Sequence, residues 1–160
     1  MNNNFDIGIE LLKESYVADS HNCSSTDNTG VRRKFKVNEL INYAIAQKLK
    51  PELVKITDIR SWQRNTQPWC KKGEKFGIVD MAKHFKRVTL ADTKYPLILS
   101  PEKSLMDGYH RLCKLYAEGK TEVMCIVLPS WPEDIAKIVK GTEGLDIENT
   151  GGSDSVFIED

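Results

Sequence analysis

The sequence is most informative first through what it has little of. It holds four cysteines in 160 residues. Cys23, Cys70, Cys113 and Cys125 form no C-x-x-C pair, so neither a zinc ribbon nor a disulfide scaffold is expected. Free thiols in a reducing compartment fit that spacing. No apolar run approaches the roughly 18 residues that a membrane helix requires, which excludes a spanning helix. The opening stretch MNNNFDIGIELLKES has no basic start followed by an apolar core, so no secretory signal is expected there. These absences together predict a cytoplasmic protein without a membrane partner. Nor is there an internal repeat, and neither charge sign is in excess, with 23 Lys and Arg against 23 Asp and Glu.

That balance conceals an uneven distribution. Residues 1–30 carry one Lys against five acids, and residues 141–160 carry six acids with no Lys or Arg. The 110 residues between them hold 22 basic and 12 acidic side chains, a net +10. A basic centre between acidic ends suits a phosphate-bearing ligand, either a nucleotide or a nucleic acid, although a solvated lysine-rich surface produces the same count. With 40% hydrophobic and 29% charged residues, the chain has the composition of an ordinary globular domain, and its length suits one such domain.

Three stretches follow. Residues 1–30 read as a polar N-terminal segment, partly disordered. Within it DSHNCSSTDNTG, 19–30, nearly lacks bulky apolar side chains and is expected as a loop or linker. Residues 31–140 read as the folded unit, and 141–160, rich in Gly, Ser and acid, as a mobile tail. Inside the unit, Val37, Leu40, Ile41, Ala44 and Ile45 form a helical stripe that Pro51 closes. LVKI, 53–56, predicts a short strand. Ile78, Met81, Ala82, Phe85 and Val88 form a second stripe and predict a helix over 78–88. YPLILS, 95–100, reads as a buried strand, SPEK as a turn, and SLM, 104–106, as the returning strand. Tyr109, Leu112, Cys113, Tyr116 and Ala117 make a third helical stripe, capped by Gly119. EVMCIVLP, 122–129, is a further strand, and Pro132 opens a last helix carried by Ile135, Ile138 and Val139. Strands and helices mixed in this way predict an α+β domain, a small mixed sheet packed with helices.

The chemistry concentrates in MDGYHR, 106–111. The third stripe uses Tyr109, Leu112 and Cys113 for packing and leaves His110, Arg111 and Lys114 on other faces. A helix start carries unpaired N–H groups and a partial positive charge. Gly108 permits close approach of a ligand to the backbone. With an imidazole and a guanidinium added, the turn is a candidate anion site, most naturally for phosphate. Asp107 does not attract phosphate; it is a candidate cap, metal-facing group or proton acceptor. The bland alternative is a tight Asp-Gly turn with a solvated His and Arg. His84 and Arg87, three apart, share a helix face off the apolar stripe. They read either as a solvated pair, with Asp80 supporting His84, or as a second anion contact. Trp62, Arg64, Gln67 and Trp69 lie in a loop long enough to stack on a base. They equally suit a satellite core beneath that loop, the preferred reading for Trp69.

The stretch KYPLILSPEKSLMDGYHRLCKLYAEGKTEVMCIVLP resembles the core of the ParB/sulfiredoxin superfamily. There, two strands lead into a Gly-x-[His/Arg]-Arg signature that opens a helix, here Gly108-Tyr109-His110-Arg111. Upstream, HFKRVTLADTKYPLIL is similar to a subset of ParB-like proteins with a His-x-x-Arg helix and then Ala-Asp, here His84, Arg87, Ala91 and Asp92. The resemblance implies a nucleotide, ATP or CTP as triphosphate or diphosphate, with Mg²⁺. Its phosphates would lie on Gly108, His110 and Arg111, with His84 and Arg87 as further contacts. It implies phosphoryl transfer or nucleotide hydrolysis, with Asp107 catalytic and Glu39 as the counterpart of a kinase base. The alternative it implies is a nucleic-acid-binding module, a nuclease or accessory of a mobile element, with DNA as partner. Sulfiredoxins carry a cysteine where this chain has Tyr109, so sulfinic-acid reduction is not expected. A partition clamp is not expected either, because only about 30 residues follow the last strand.

Overall fold

Two short apolar segments, Leu97–Leu99 and Glu122–Val127, build the centre of the molecule. The computed structural model describes residues 21–63, 69 and 75–139. In chain order they form β1 (Asn22–Thr26), β2 (Arg32–Lys36), α1 (Val37–Ala46), β3 (Glu52–Lys55), α2 (Arg60–Gln63), α3 (Ile78–Leu90), β4 (Leu97–Leu99), β5 (Leu105–Asp107), α4 (Tyr109–Ala117), β6 (Glu122–Val127) and β7 (Lys137–Ile138), with a 3₁₀ turn at Ile56–Asp58. The chain is a single-domain α+β fold with two sheets. The larger runs β3-β6-β4-β5, with β6 parallel to β4 and the outer pairs antiparallel. The smaller is an antiparallel β1-β2-β7.

Because side chains alternate along a strand, the large sheet sends its apolar residues to both faces. Ile98, Met106, Ile126 and Leu128 meet Val37, Leu40, Ile41 and Ala44 of α1 and Cys23 and Phe35 of the small sheet. Leu97, Leu99, Leu105, Val123 and Cys125 meet Leu112 of α4, together with Ile56 and Ile59. The α1 stripe is thus buried as its spacing predicts. Cys23, Cys113 and Cys125 carry free thiols, and no helix among the described residues is long and apolar enough to cross a membrane.

Three expectations are corrected. The loop predicted over 19–30 contains β1, which pairs with β2 in register from Asn22↔Lys36 to Thr26↔Arg32. Cys23, Ser24, Ser25 and Thr26 are all buried. Small polar side chains fit a strand enclosed on both faces, and its stability comes from backbone pairing that composition does not register. Asp27 shapes the turn that follows, its Oδ1 accepting from the Thr29 amide at 2.8 Å and the Val31 amide at 3.0 Å. Second, the helix expected from Pro132 is a turn followed by β7, which pairs Arg33↔Ile138 and Lys34↔Lys137. An ion cluster organises this end. Arg33 bonds Asp27 at 2.6 Å and Glu133 at 2.7 Å, and its guanidinium lies 4.9 Å from the Trp131 ring centroid. Third, α3 forms over the predicted residues but buries the wrong arc for its stripe. Ile78 is 86% and Phe85 61% exposed, whereas His84 is 4% exposed.

Candidate functional site

The Asp-Gly turn between β5 and α4 is held by backbone geometry. Gly108 sits at φ +107°, in the left-handed region, and a Cβ there would come within 2.5 Å of a Leu97 methyl. Any larger residue would therefore meet both strain and a clash. The Leu112 amide donates to the Gly108 carbonyl at 2.8 Å and starts the helix. No side chain caps it, so the partial positive charge of the α4 start is not offset by a capping carboxylate.

Asp107 lies between Arg111 and His21. Its Oδ2 accepts from Arg111 Nη2 at 2.6 Å, one helical turn away, and its Oδ1 is 2.9 Å from His21 Nε2. The Asp107 and Arg111 side chains are each 15% exposed, and that of His21 45%. Burial alone would raise the Asp107 pKa. The hydrogen bond from His21 and the Arg111 charge outweigh it and hold the carboxyl below the usual carboxylate range. His21 is the site member that the sequence did not reveal. It is 86 residues from Asp107 and belongs to no motif. Its carbonyl accepts from the Val37 amide at 3.0 Å, which ties the start of β1 to the start of α1.

On the other side of the turn His110 meets His84. Their nearest nitrogens are 2.9 Å apart, the ring centroids 5.2 Å apart, and the planes differ by 11°. Those values describe two coplanar imidazoles joined edge to edge. One ring must supply a lone pair to the other's N–H, so at least one is neutral. Burial pushes the His110 pKa down to about 4, with further depression by His84 and Arg87. Burial and the Arg87 charge also lower that of His84. The Trp69 indole lies over both rings, at 4.3 Å from His84 and 4.9 Å from His110, with an interplanar angle of 12° to each. Phe76 adds a fourth ring, 5.7 Å from His84. Trp69 is thus a packing residue.

The structure therefore brings together Asp107, Gly108, His110, Arg111 and His84. Arg87, exposed on α3, acts on the pair through its charge. His84 is not a solvated partner of Arg87: it turns inward to His110. Asp80 acts on His84 through its charge, opposing the depression of the His84 pKa, and also serves the start of α3, accepting from the Gly77 amide at 3.0 Å. Glu39 lies in the first turn of α1, and among the described residues its carboxylate makes no hydrogen bond or ion pair with the Asp107–Arg111 turn. Lys114 is committed elsewhere, donating to the carbonyls of Thr89 and Ala91 at 3.0 and 2.8 Å and so closing the end of α3. Trp62 packs on Tyr116, with ring centroids 4.4 Å apart, while Arg64 and Gln67 lie outside the described residues. Among the described residues no group of three or more His, Cys, Asp or Glu is placed to hold a metal ion. Compared with protein-family models, curated proteins and solved structures, the chain has no match.

Proposed function

We propose that the chain is a ParB-like nucleotide-binding protein that holds phosphates at Gly108–Arg111 and transfers or hydrolyses a phosphoryl group. The observation that carries this reading is the left-handed Gly108 directly before an uncapped helix start whose first turn bears His110 and Arg111. Phosphate oxygens accept from helix-start amides, and Gly108 leaves no side chain in their path. Arg111 bonds Asp107. A phosphate dianion competes for the same guanidinium, and binding exchanges one anion for the other. His110, neutral at pH 7, contributes as an imidazole rather than as a cation. Asp107 enters any reaction as a carboxylate, able to accept a hydroxyl proton or to face a metal ion but not to act as an acid. In this reading Asp107 is the carboxylate that would face a Mg²⁺ ion held mainly by the phosphates, and the ion would supply charge neutralisation there. Glu39 is a second candidate base in this reading, from the start of α1.

Calorimetric titration of ATP and CTP with Mg²⁺ tests the assignment. Arg111→Ala should weaken nucleotide binding by about ten- to a hundredfold, the loss of a charge-assisted contact of about 1.5–3 kcal/mol. Because this substitution also strips Asp107 of a partner, Arg111→Lys serves beside it, retaining a charge for Asp107 but not the guanidinium fork. Affinity unchanged in both variants would overturn the phosphate reading of the turn.

A further inference from the structure

The two imidazoles beside the turn meet through particular nitrogens, Nε2 of His110 and Nδ1 of His84, 2.9 Å apart. A neutral imidazole carries one ring hydrogen, so one ring donates and the other accepts. The intrinsically preferred tautomer of a neutral histidine side chain has its hydrogen on Nε2 and a lone pair on Nδ1. With both rings in that form, the His110 Nε2–H points at the His84 Nδ1 lone pair, and neither ring leaves its preferred state. The reverse bond needs both rings in the less stable form. Packing holds the arrangement in place. His84 is 4% exposed, and the Trp69 indole lies over both rings, which resists rotation of either. The outer nitrogen of His110 is then Nδ1 with its lone pair. It has no hydrogen-bond partner among the described residues, and the His110 side chain is only half-buried. The one side-chain polar atom among those residues that is both buried and unpartnered is the Thr26 hydroxyl, so His110 Nδ1 reaches solvent.

We propose that His110 is a hydrogen-bond acceptor for an O–H or N–H group on the nucleoside part of the ligand, and that His84 is the positioning residue that turns this lone pair outward. The inference rests on the nucleotide reading of the Gly108–Arg111 turn and divides the labour within it. Ionised phosphate oxygens are acceptors, and two acceptors do not bond. The helix-start amides and Arg111 therefore serve the phosphates, and His110 serves a neutral donor beside them. Burial, then His84, Arg87 and His21, outweigh the Asp107 charge and push the His110 pKa down to about 4. The lone pair is thus not lost to a proton near neutral pH. A ribose hydroxyl and a base amino group share the required donor chemistry. A ligand made of phosphates alone lacks it.

Nitrogen NMR of the full chain, isotopically labelled at its three histidines, reads the hydrogen positions directly. Single Gln variants assign the signals. At neutral pH the Nδ1 atoms of His110 and His84 should both show the shift of an unprotonated ring nitrogen. Calorimetric titrations with Mg²⁺ then compare ATP, dideoxy-ATP, which lacks both ribose hydroxyls, and tripolyphosphate. His110→Ala should bind ATP about two- to tenfold more weakly, the loss of one neutral hydrogen bond, and should bind tripolyphosphate as the parent does. If the parent binds dideoxy-ATP as weakly as His110→Ala binds ATP, the donor is a ribose hydroxyl. If His110→Ala weakens dideoxy-ATP as it weakens ATP, the donor is a base amino group. His84→Leu should weaken ATP alone, and His84→Asn, which places an oxygen where Nδ1 stood, should restore it. Thermal melts accompany each variant, and if His84→Leu does not fold, His84→Asn and the parent spectrum decide. A hydrogen on His110 Nδ1, or equal losses of ATP and tripolyphosphate in His110→Ala, would overturn this inference and leave the phosphate reading of the turn in place. Failure of the parent to bind either ligand would overturn both.

Discussion

Helices α1 and α3 carry equally readable apolar stripes, yet they are used in opposite ways. In α1 the stripe is the buried face: Val37, Leu40, Ile41 and Ala44 are all within the core. In α3 the only fully buried residue is His84, while Ile78, Val79, Phe85 and Leu90 are exposed. The difference lies in what holds each helix. Apolar contact positions α1 along its length against the large sheet. Polar links attach α3 to α4: the His84–His110 bond near its middle and the Lys114 ammonium at its last carbonyls. These set the rotation of α3 about its axis, and the hydrophobic arc follows wherever that rotation leaves it. A period of 3.6 residues identifies a helix but not which arc meets the neighbour.

The largest effect that would sharpen this contrast is in α1. Leu40→Ala should destabilise the fold by about 2–5 kcal/mol, because a fully buried leucine leaves a cavity. Chemical denaturation measures it, and a loss within the surface range would show that α1 is not packed as described.

The middle effect tests the polar attachment through pH. His110 is held neutral down to about pH 4 in the folded state but titrates near 6.5 when unfolded. Between those values the unfolded chain binds more protons, so stability is full above about pH 6.5 and falls as the pH drops toward 4. His84, depressed in the same direction, adds to the fall. Melting temperatures from pH 7 to pH 5 should decline, and the decline should be smaller in His110→Gln. An identical pH dependence in parent and variant would separate the ring pair from the stability of the fold.

The smallest effect is expected on the exposed arc of α3. Phe85→Ser should change stability by no more than about 0.5 kcal/mol, as ordinary surface substitutions do. A loss comparable to that of Leu40→Ala would mean that Phe85 is covered in solution, and the contrast between the helices would disappear.

What the sequence determined by itself is what local pattern can encode. The helices over Val37–Ala46, Ile78–Leu90 and Tyr109–Ala117 follow from apolar spacing, and the central strands β4, β5 and β6 from short apolar runs bounded by turns. The turn at Gly108 was legible because Asp-Gly before a helical stripe admits few backbone paths, and Gly108 indeed takes a left-handed one. With it came the proximity of Asp107, His110 and Arg111, which one helical turn guarantees. Only the tertiary structure decided the rest. His21 reaches Asp107 across 86 residues and His84 reaches His110 across 26, and no window of sequence contains both partners. The strands β1 and β7 were missed for the same reason. A strand of small polar residues and a two-residue edge strand have little apolar pattern of their own, and β2 supplies their partners. Burial of His84 in place of Phe85 is the sharpest instance, because the hydrophobic pattern favours one arc while a single distant imidazole selects another.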